Sequence, residues 1–162
     1  MVSLNRFATD SNIFYMGIPY QSNFDYIYFI TPQIYDEIKH IKKNIDALDL
    51  LITLRKVHLM DATNDQISKV RKKEAEVGKI CLSEADCSII ALALALDIPL
   101  LSTDFALVNT AKHLYIKVVT PGKKNFRLRT SMKYCSICKI FVTNNIEYCS
   151  DCGNLLILRK KN

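Results

Sequence analysis

The chain has 162 residues, 49% of them hydrophobic, and 22 Lys+Arg against 16 Asp+Glu give it a formal net charge of +6. That is enough apolar material for one ordinary domain and a small module, but its longest apolar run, the eight residues from Ile89 to Leu96, falls well short of a bilayer span. The opening MVSLNRFATD lacks a basic-then-apolar signal pattern, so the expected location is cytoplasmic with no membrane contact, where paired cysteines stay reduced and read as metal ligands rather than disulfides.

In chain order, Arg6 to Thr9 is the first short strand-like run and Tyr26 to Thr31 the second. Ile34, Ile38, Ile41, Ile45, Leu48 and Ile52 then recur at helical spacing. Val57 to Met60 is a third strand, followed by a helical stripe through Ile67, Val70, Glu74 and Val77 and a helix from Glu84 to Leu96. Leu100 to Ser102, a helix from Phe105 to Leu114, and Ile116 to Val119 complete the alternation. Strands separated by helices need crossover connections, so the expected fold is α/β, a three-layer, mainly parallel sheet. Pro121-Gly122 ends this pattern. The expected division is a body over 1–121, a basic linker over 122–133 and a small module over 134–162.

Four acids fall where such a sheet concentrates function. Asp10 follows the first strand and Asp104 the fourth, so their side chains would meet beyond the strand ends if those strands are neighbours. Glu37 is expected in the first turn of the helix after the second strand, and Asp86 in the first turn of the helix opening at Glu84. Each has a structural reading as well: Asp86 forms a capping box with Ser83, Asp104 caps the helix at Phe105, Glu37 sits well with a helix dipole, and Asp10 starts a turn. Four carboxylates on one edge repel one another unless a cation sits among them, and hard oxygen ligands suit Mg²⁺ or Mn²⁺, which activate water for phosphodiester hydrolysis. Ser11, Asn12 and Ser102 stand beside these acids as hydrogen-bonding candidates or as turn residues. No phosphate-binding glycine loop is present, and His40, His58 and His113 are scattered and read as structural.

The last segment carries different chemistry. Cys135-x-x-Cys138 and Cys149-x-x-Cys152 can wrap one metal with two tight knuckles, and Gly153 supplies backbone freedom after the second. The ten intervening residues read as a hairpin turning at Asn144-Asn145. Four thiolates with no open position imply structural Zn²⁺, with a rubredoxin-type iron site as the competitor; Cys81 and Cys87 read as small hydrophobes. Residues 121–162 hold 9 Lys+Arg against 2 Asp+Glu, while residues 1–120 hold 13 against 14. A cationic module on a neutral body is the electrostatic footprint of a nucleic-acid binder, with Lys123, Lys124, Arg127, Arg129 and Lys133 as the RNA-binding candidates. Tyr134, Phe141 and Tyr148 either stack on bases or cover the small core.

Taken in order, Ala8-Thr9-Asp10-Ser11-Asn12, Pro32-x-x-Tyr35-Asp36-Glu37-Ile38, Leu82-Ser83-Glu84-Ala85-Asp86, Leu101-Ser102-Thr103-Asp104-Phe105 and Asn109-x-Ala111 resemble the successive motifs of PIN-domain ribonucleases. With the four-cysteine ribbon the chain is similar to the archaeal NOB-one family, endonucleases that mature the 3′ end of small-subunit (16S) rRNA. The resemblance implies a PIN-like fold with a C-terminal zinc ribbon and a metal-dependent cut in single-stranded precursor rRNA. It places the acidic metal site, with Mg or Mn, on Asp10, Glu37, Asp86 and Asp104, and zinc on the four cysteines. It implies the small ribosomal subunit precursor and assembly-factor proteins as partners, and leaves the oligomeric state open. A toxin-like PIN enzyme acting on tRNA or mRNA, and a non-catalytic ribosome-assembly factor, are the alternatives. Two departures stand out: Ser11 replaces the usual Thr, and Thr103-Asp104 replaces two consecutive Asp.

Overall fold

The computed structural model describes residues 5–21, 25–40, 45–77, 82–122, 131–142 and 146–160. The five short apolar runs become β1 (Arg6–Thr9), β2 (Ile27–Ile30), β3 (Val57–Leu59), β4 (Leu100–Leu101) and β5 (Val118–Val119). They pair in the order β3-β2-β1-β4-β5, all parallel, with Ala8 opposite Leu100 and Thr9 opposite Leu101. The chain steps outward from β1 to β3, then returns past β1 to β4 and β5. Right-handed crossovers put the connecting helices of these two halves on opposite faces, giving three layers and a switch point between β1 and β4.

The helices are α1 (Ser11–Tyr15), α2 (Pro32–Lys39), α3 (Ile45–Thr53), α4 (Asn64–Val77), α5 (Glu84–Leu96) and α6 (Phe105–His113), with a 3-10 turn at Ile18–Tyr20. The isoleucine stripe expected as one run is two helices, since α2 ends at Lys39 and α3 begins at Ile45. Ile41 lies outside the described residues. α5 is apolar on nearly every side because it is the central helix: it packs on β1, and every residue from Cys87 to Ala93 is buried. Cys87 sits in that core as a small hydrophobe, while Cys81 lies outside the described residues. His58 stacks on Phe29 at 5.2 Å with a ring nitrogen 3.1 Å from the Arg55 carbonyl, His40 caps the end of α2, and His113 ends α6. Among the described residues no helix is long and apolar enough to cross a membrane.

A second, antiparallel sheet follows, in the order β7-β6-β8, from β6 (Ser131–Tyr134), β7 (Phe141–Val142) and β8 (Ile157–Lys160). It has its own small core of Cys135, Cys149 and Leu156 with Val142 against them. β6 starts at Ser131, inside the stretch expected as linker. The turn expected at Asn144-Asn145 lies outside the described residues, and among the described ones the strand after the first pair, β7, pairs with β6. The first knuckle reverses the chain, so Phe141 lies opposite Tyr134.

Candidate active site

Asp10 stands at the end of β1, at the switch point, and is only 2% exposed. It holds the N-terminus of α1: its Oδ1 accepts the Ile13 amide at 3.3 Å. Its Oδ2 accepts the hydroxyl of Ser102, just past the end of β4, at 2.5 Å. Ser102 is itself fully buried and accepts the Asp104 amide at 3.0 Å, so one hydroxyl ties the ends of the two central strands together. Burial pushes the Asp10 carboxyl up to about 6; the Ser102 and Ile13 hydrogen bonds hold it down, and the carboxylates of Asp104 and Asp86 push it further up.

The other three acids come from separate elements, Asp104 and Asp86 near enough to act on Asp10 and Glu37 tied to the adjacent Ser11. Asp104 caps α6, accepting the Leu107 amide at 3.0 Å. Asp86 and Ser83 form a reciprocal capping box, the Ser83 amide donating to Asp86 Oδ2 and the Asp86 amide to the Ser83 hydroxyl, each at 3.0 Å. Glu37 lies in the second turn of α2, not the first as expected, because Thr31 rather than a later residue is the N-cap. Its carboxylate accepts the Ser11 hydroxyl at 2.7 Å. Thr31 in turn shares a hydrogen bond of 2.7 Å with Ser88, which anchors the start of α2 to α5. Two serines, Ser11 and Ser102, thus each hold one carboxylate.

Asp104 and Asp86 act on Asp10 and Glu37 is tied to its neighbour Ser11, but the four carboxylates do not close on a common point. Among the described residues, the groups of three or more metal-ligating side chains with ligand atoms within 4.8 Å of one another comprise the four cysteines alone. The donor set nevertheless fits a hard divalent cation. Asp10 is a buried carboxylate with two carboxylate neighbours, and none of the ion pairs among the described residues, Lys56–Asp25, Lys69–Asp65, Arg71–Glu74 and Lys73–Glu76, offsets any of the four acids. Thr103 stands in the loop between Ser102 and Asp104 without a carboxylate to add.

The cysteine site is closed and built twice on one plan. In the first knuckle the Cys135 amide bonds the Ile140 carbonyl and the Lys139 amide the Cys135 carbonyl, each at 2.9 Å. In the second, the Cys149 amide bonds the Asn154 carbonyl and the Gly153 amide the Cys149 carbonyl, each at 2.8 Å. Lys139 and Gly153, four residues after the first cysteine of each pair, both take left-handed backbone, φ 60° and 70°. Sulfur separations of 3.4 Å (Cys135 to Cys152) and 3.9 Å (Cys138 to Cys149) bracket the roughly 3.8 Å edge of a tetrahedron with metal–sulfur bonds of about 2.3 Å. The Cys138 amide donates to Cys135 Sγ and lowers that thiol to about 7, while the hydrogen bond to Cys152 helps push the Cys138 thiol up to about 12. These four residues can hold one metal ion.

Of the basic candidates, Lys123, Lys124, Arg127 and Arg129 lie outside the described residues. Lys133 is in β6 and donates to the Ile146 carbonyl at 2.5 Å. Tyr134 is buried against Phe141, ring centres 4.9 Å apart, with Arg159 over its ring at 4.7 Å; Tyr148 is exposed. The sequence reading missed α1, and with it the role of Asp10 as a cap; the Asp10-Ser11 pair directly after a strand was the available signal. It also took Glu74 as one more position of an apolar stripe, although a carboxylate on a buried face needs a partner of its own.

Residues 9–96 match the family described as the PIN domain of ribonuclease. The chain is 29% identical over 116 residues to Endoribonuclease Nob1 of Pyrococcus abyssi (71% of this chain, 68% of the relative). It is 32% identical over 136 residues to Endoribonuclease Nob1 of Methanocaldococcus jannaschii (80% and 65%), so it spans about two thirds of the length of each. In fold it is similar to a chain of VapBC2 from Rickettsia felis, solved bound to a DNA fragment from its promoter, with a TM-score of 0.50 and 14% identity over 71% of this chain and 98% of that one. A parallel sheet carrying acids at its switch point, a match that takes in the first three acidic motifs and two Nob1 relatives lead to one conclusion: the chain belongs to the PIN-domain ribonuclease family.

Proposed function

We propose that the protein is a metal-dependent endoribonuclease that cuts single-stranded precursor rRNA at the 3′ end of small-subunit rRNA, with Mg²⁺ or Mn²⁺ at the acidic site and Zn²⁺ in the ribbon. The observation that carries this reading is Asp10, buried at the switch point beside the carboxylates of Asp104 and Asp86, with no offsetting ion pair among the described residues. A divalent ion held there supplies water activation and stabilisation of the leaving oxygen. The chain's own residues do the rest: Ser102 fixes Asp10, Ser11 fixes Glu37, and the capping of α5 and α6 fixes Asp86 and Asp104. The rRNA substrate, and the small-subunit precursor as partner, rest on the likeness to the Nob1 endoribonucleases. The body over 1–121 would cleave, while the basic stretch from 122 and the ribbon from 134 would hold RNA backbone.

The test is cleavage of a single-stranded RNA spanning the mature 3′ end by purified protein with Mn²⁺ or Mg²⁺. Wild type cuts at the mature end; Asp10→Asn loses cleavage by at least about 10³-fold while RNA affinity holds or rises, as one repelling charge is removed. Cleavage by Asp10→Asn at the wild-type rate would defeat the assignment. Indiscriminate or tRNA cutting would replace the rRNA substrate by that of a toxin-like enzyme, and binding without cutting would leave an assembly factor.

A further inference from the structure

The segment that delivers Asp86 is anchored by a part-buried ionic clasp outside the acidic site, its carboxylate inside and its guanidinium partly exposed. Glu74 sits on the inward face of α4 at 8% exposure, in register with Ile67, Val70 and Val77, where an apolar residue would be the ordinary choice. A carboxylate so placed is costly unless its oxygens are fully used, and these are. Glu74 Oε1 accepts the Leu82 amide at 2.5 Å, and Oε2 accepts Arg71 Nη1 at 3.0 Å. The same Arg71 nitrogen donates to the Leu82 carbonyl at 2.8 Å. Both backbone groups of Leu82 are therefore held by two side chains one turn apart on α4.

Leu82 directly precedes Ser83, the N-cap of α5 and the partner of Asp86 in the capping box. Without the clasp, the box would fix Asp86 relative to Ser83 while Ser83 itself, an exposed residue, lacked this tie to the body. We propose that Glu74, aided by Arg71, is a positioning residue for the acidic site: by gripping Leu82 it fixes where the Ser83–Asp86 box presents the Asp86 carboxylate. The proposal rests on the metal-site reading given above. It accounts for an ion pair at a place where an apolar pair of similar volume would hold the helices together as well or better. A partner one step removed from a ligand acts through the ligand's orientation, so the expected effect is on metal affinity rather than on the saturated rate.

The experiment uses the full chain with its ribbon loaded, comparing wild type, Glu74→Gln, Glu74→Leu and the control Glu76→Gln, which removes an exposed pair with Lys73 on the same helix. Mn²⁺ binding is measured by calorimetry, Leu82 amide protection by hydrogen exchange, and cleavage against Mn²⁺ concentration. Glu74→Leu should weaken Mn²⁺ binding about tenfold, with cleavage restored at saturating Mn²⁺, and Glu74→Gln, which keeps an acceptor for the Leu82 amide, should weaken it less. In an Asp86→Asn background, Glu74→Leu should add no further loss, because the ligand it positions is already gone. Glu76→Gln should match wild type. A folded Glu74→Leu protein with wild-type Mn²⁺ affinity overturns the proposal; if that variant does not fold, a wild-type affinity in Glu74→Gln together with faster Leu82 exchange overturns it instead. A wild-type protein that binds no Mn²⁺ at all would refute the metal site and this proposal together, a result distinct from either.

Discussion

Asp10 is the residue where stability and proposed chemistry pull in opposite directions. Its carboxyl is raised from 3.8 to about 6, chiefly by burial, and a shift of that size makes the ionised folded protein roughly 3 kcal/mol less stable than it would be with an unshifted group. Below about pH 4 the group is protonated in both folded and unfolded chains and no stability is lost. As pH rises toward 6 the unfolded chain releases its proton first, so stability falls through that window and stays low above it. Asp10→Asn removes the titration while keeping an oxygen for the Ile13 amide. In metal-free protein it should therefore raise the melting temperature clearly at pH 8 and about half as much at pH 5, read by thermal scans at both. Equal shifts at the two pH values would show that burial of charge is not the cause. Added Mn²⁺ should shrink the pH 8 difference, since a bound cation stabilises the ionised wild type and has less to gain from the amide.

At the scale of elements, the two knuckles show how one plan is met by different residues. Gly153 takes φ 70° with open space around a would-be Cβ, so Gly153→Ala has no steric clash and carries only the left-handed penalty, on the order of 1 kcal/mol. Lys139 already bears that penalty at φ 60°. Gly153→Ala should lose metal faster in competition with a chelator, whereas Lys139→Gly should retain it as well as wild type; the reverse order would refute the equivalence of the knuckles. Gly153 was readable from the sequence as a turn residue, but nothing marked Lys139, because a lysine gives no sign of left-handed backbone. The same contrast runs through the body. β1 was readable to its ends because a short apolar run is bounded there by polar residues, and α5 because its length and capping box survive a pattern without an amphipathic period. α1 was not, since five residues that bury Ile13 and Phe14 repeat nothing. The acids stood out because they follow strands or open helices. The caps at Asp86 and Asp104 were readable from their spacing to Ser83 and Phe105; what no spacing reveals is that Asp10 caps a helix as well, or that Ser102 reaches an acid 92 residues away.

For the molecule as a whole, the described residues hold two separate cores: one runs from Phe7 to Ile116, the other is the cysteine cluster with Leu156. A module whose core is mostly metal ligands depends on the ion for its folding, so chelation should melt the ribbon and leave the parallel sheet, read as two transitions by hydrogen exchange. The charge divides along the same line, since residues 121–162 carry 9 Lys+Arg against 2 Asp+Glu and residues 1–120 carry 13 against 14. If the four cysteines bind a divalent ion as thiolates, the site itself contributes −2, which leaves the segment well on the positive side. The acids repel a polyanion and residues 1–120 carry a net charge of −1, so affinity for RNA is expected to come mainly from this segment through counterion release. Removing residues 123–162 should therefore weaken binding to single-stranded RNA and flatten its salt dependence, with the slope of log K against log salt falling by about 0.7 for each phosphate that is no longer neutralised. The measurement is a filter-binding or anisotropy titration at several salt concentrations, using Asp10→Asn in both lengths so that cleavage does not intrude. A truncated chain with the same affinity and slope would place the RNA grip on the body and leave the ribbon's positive charge without that role.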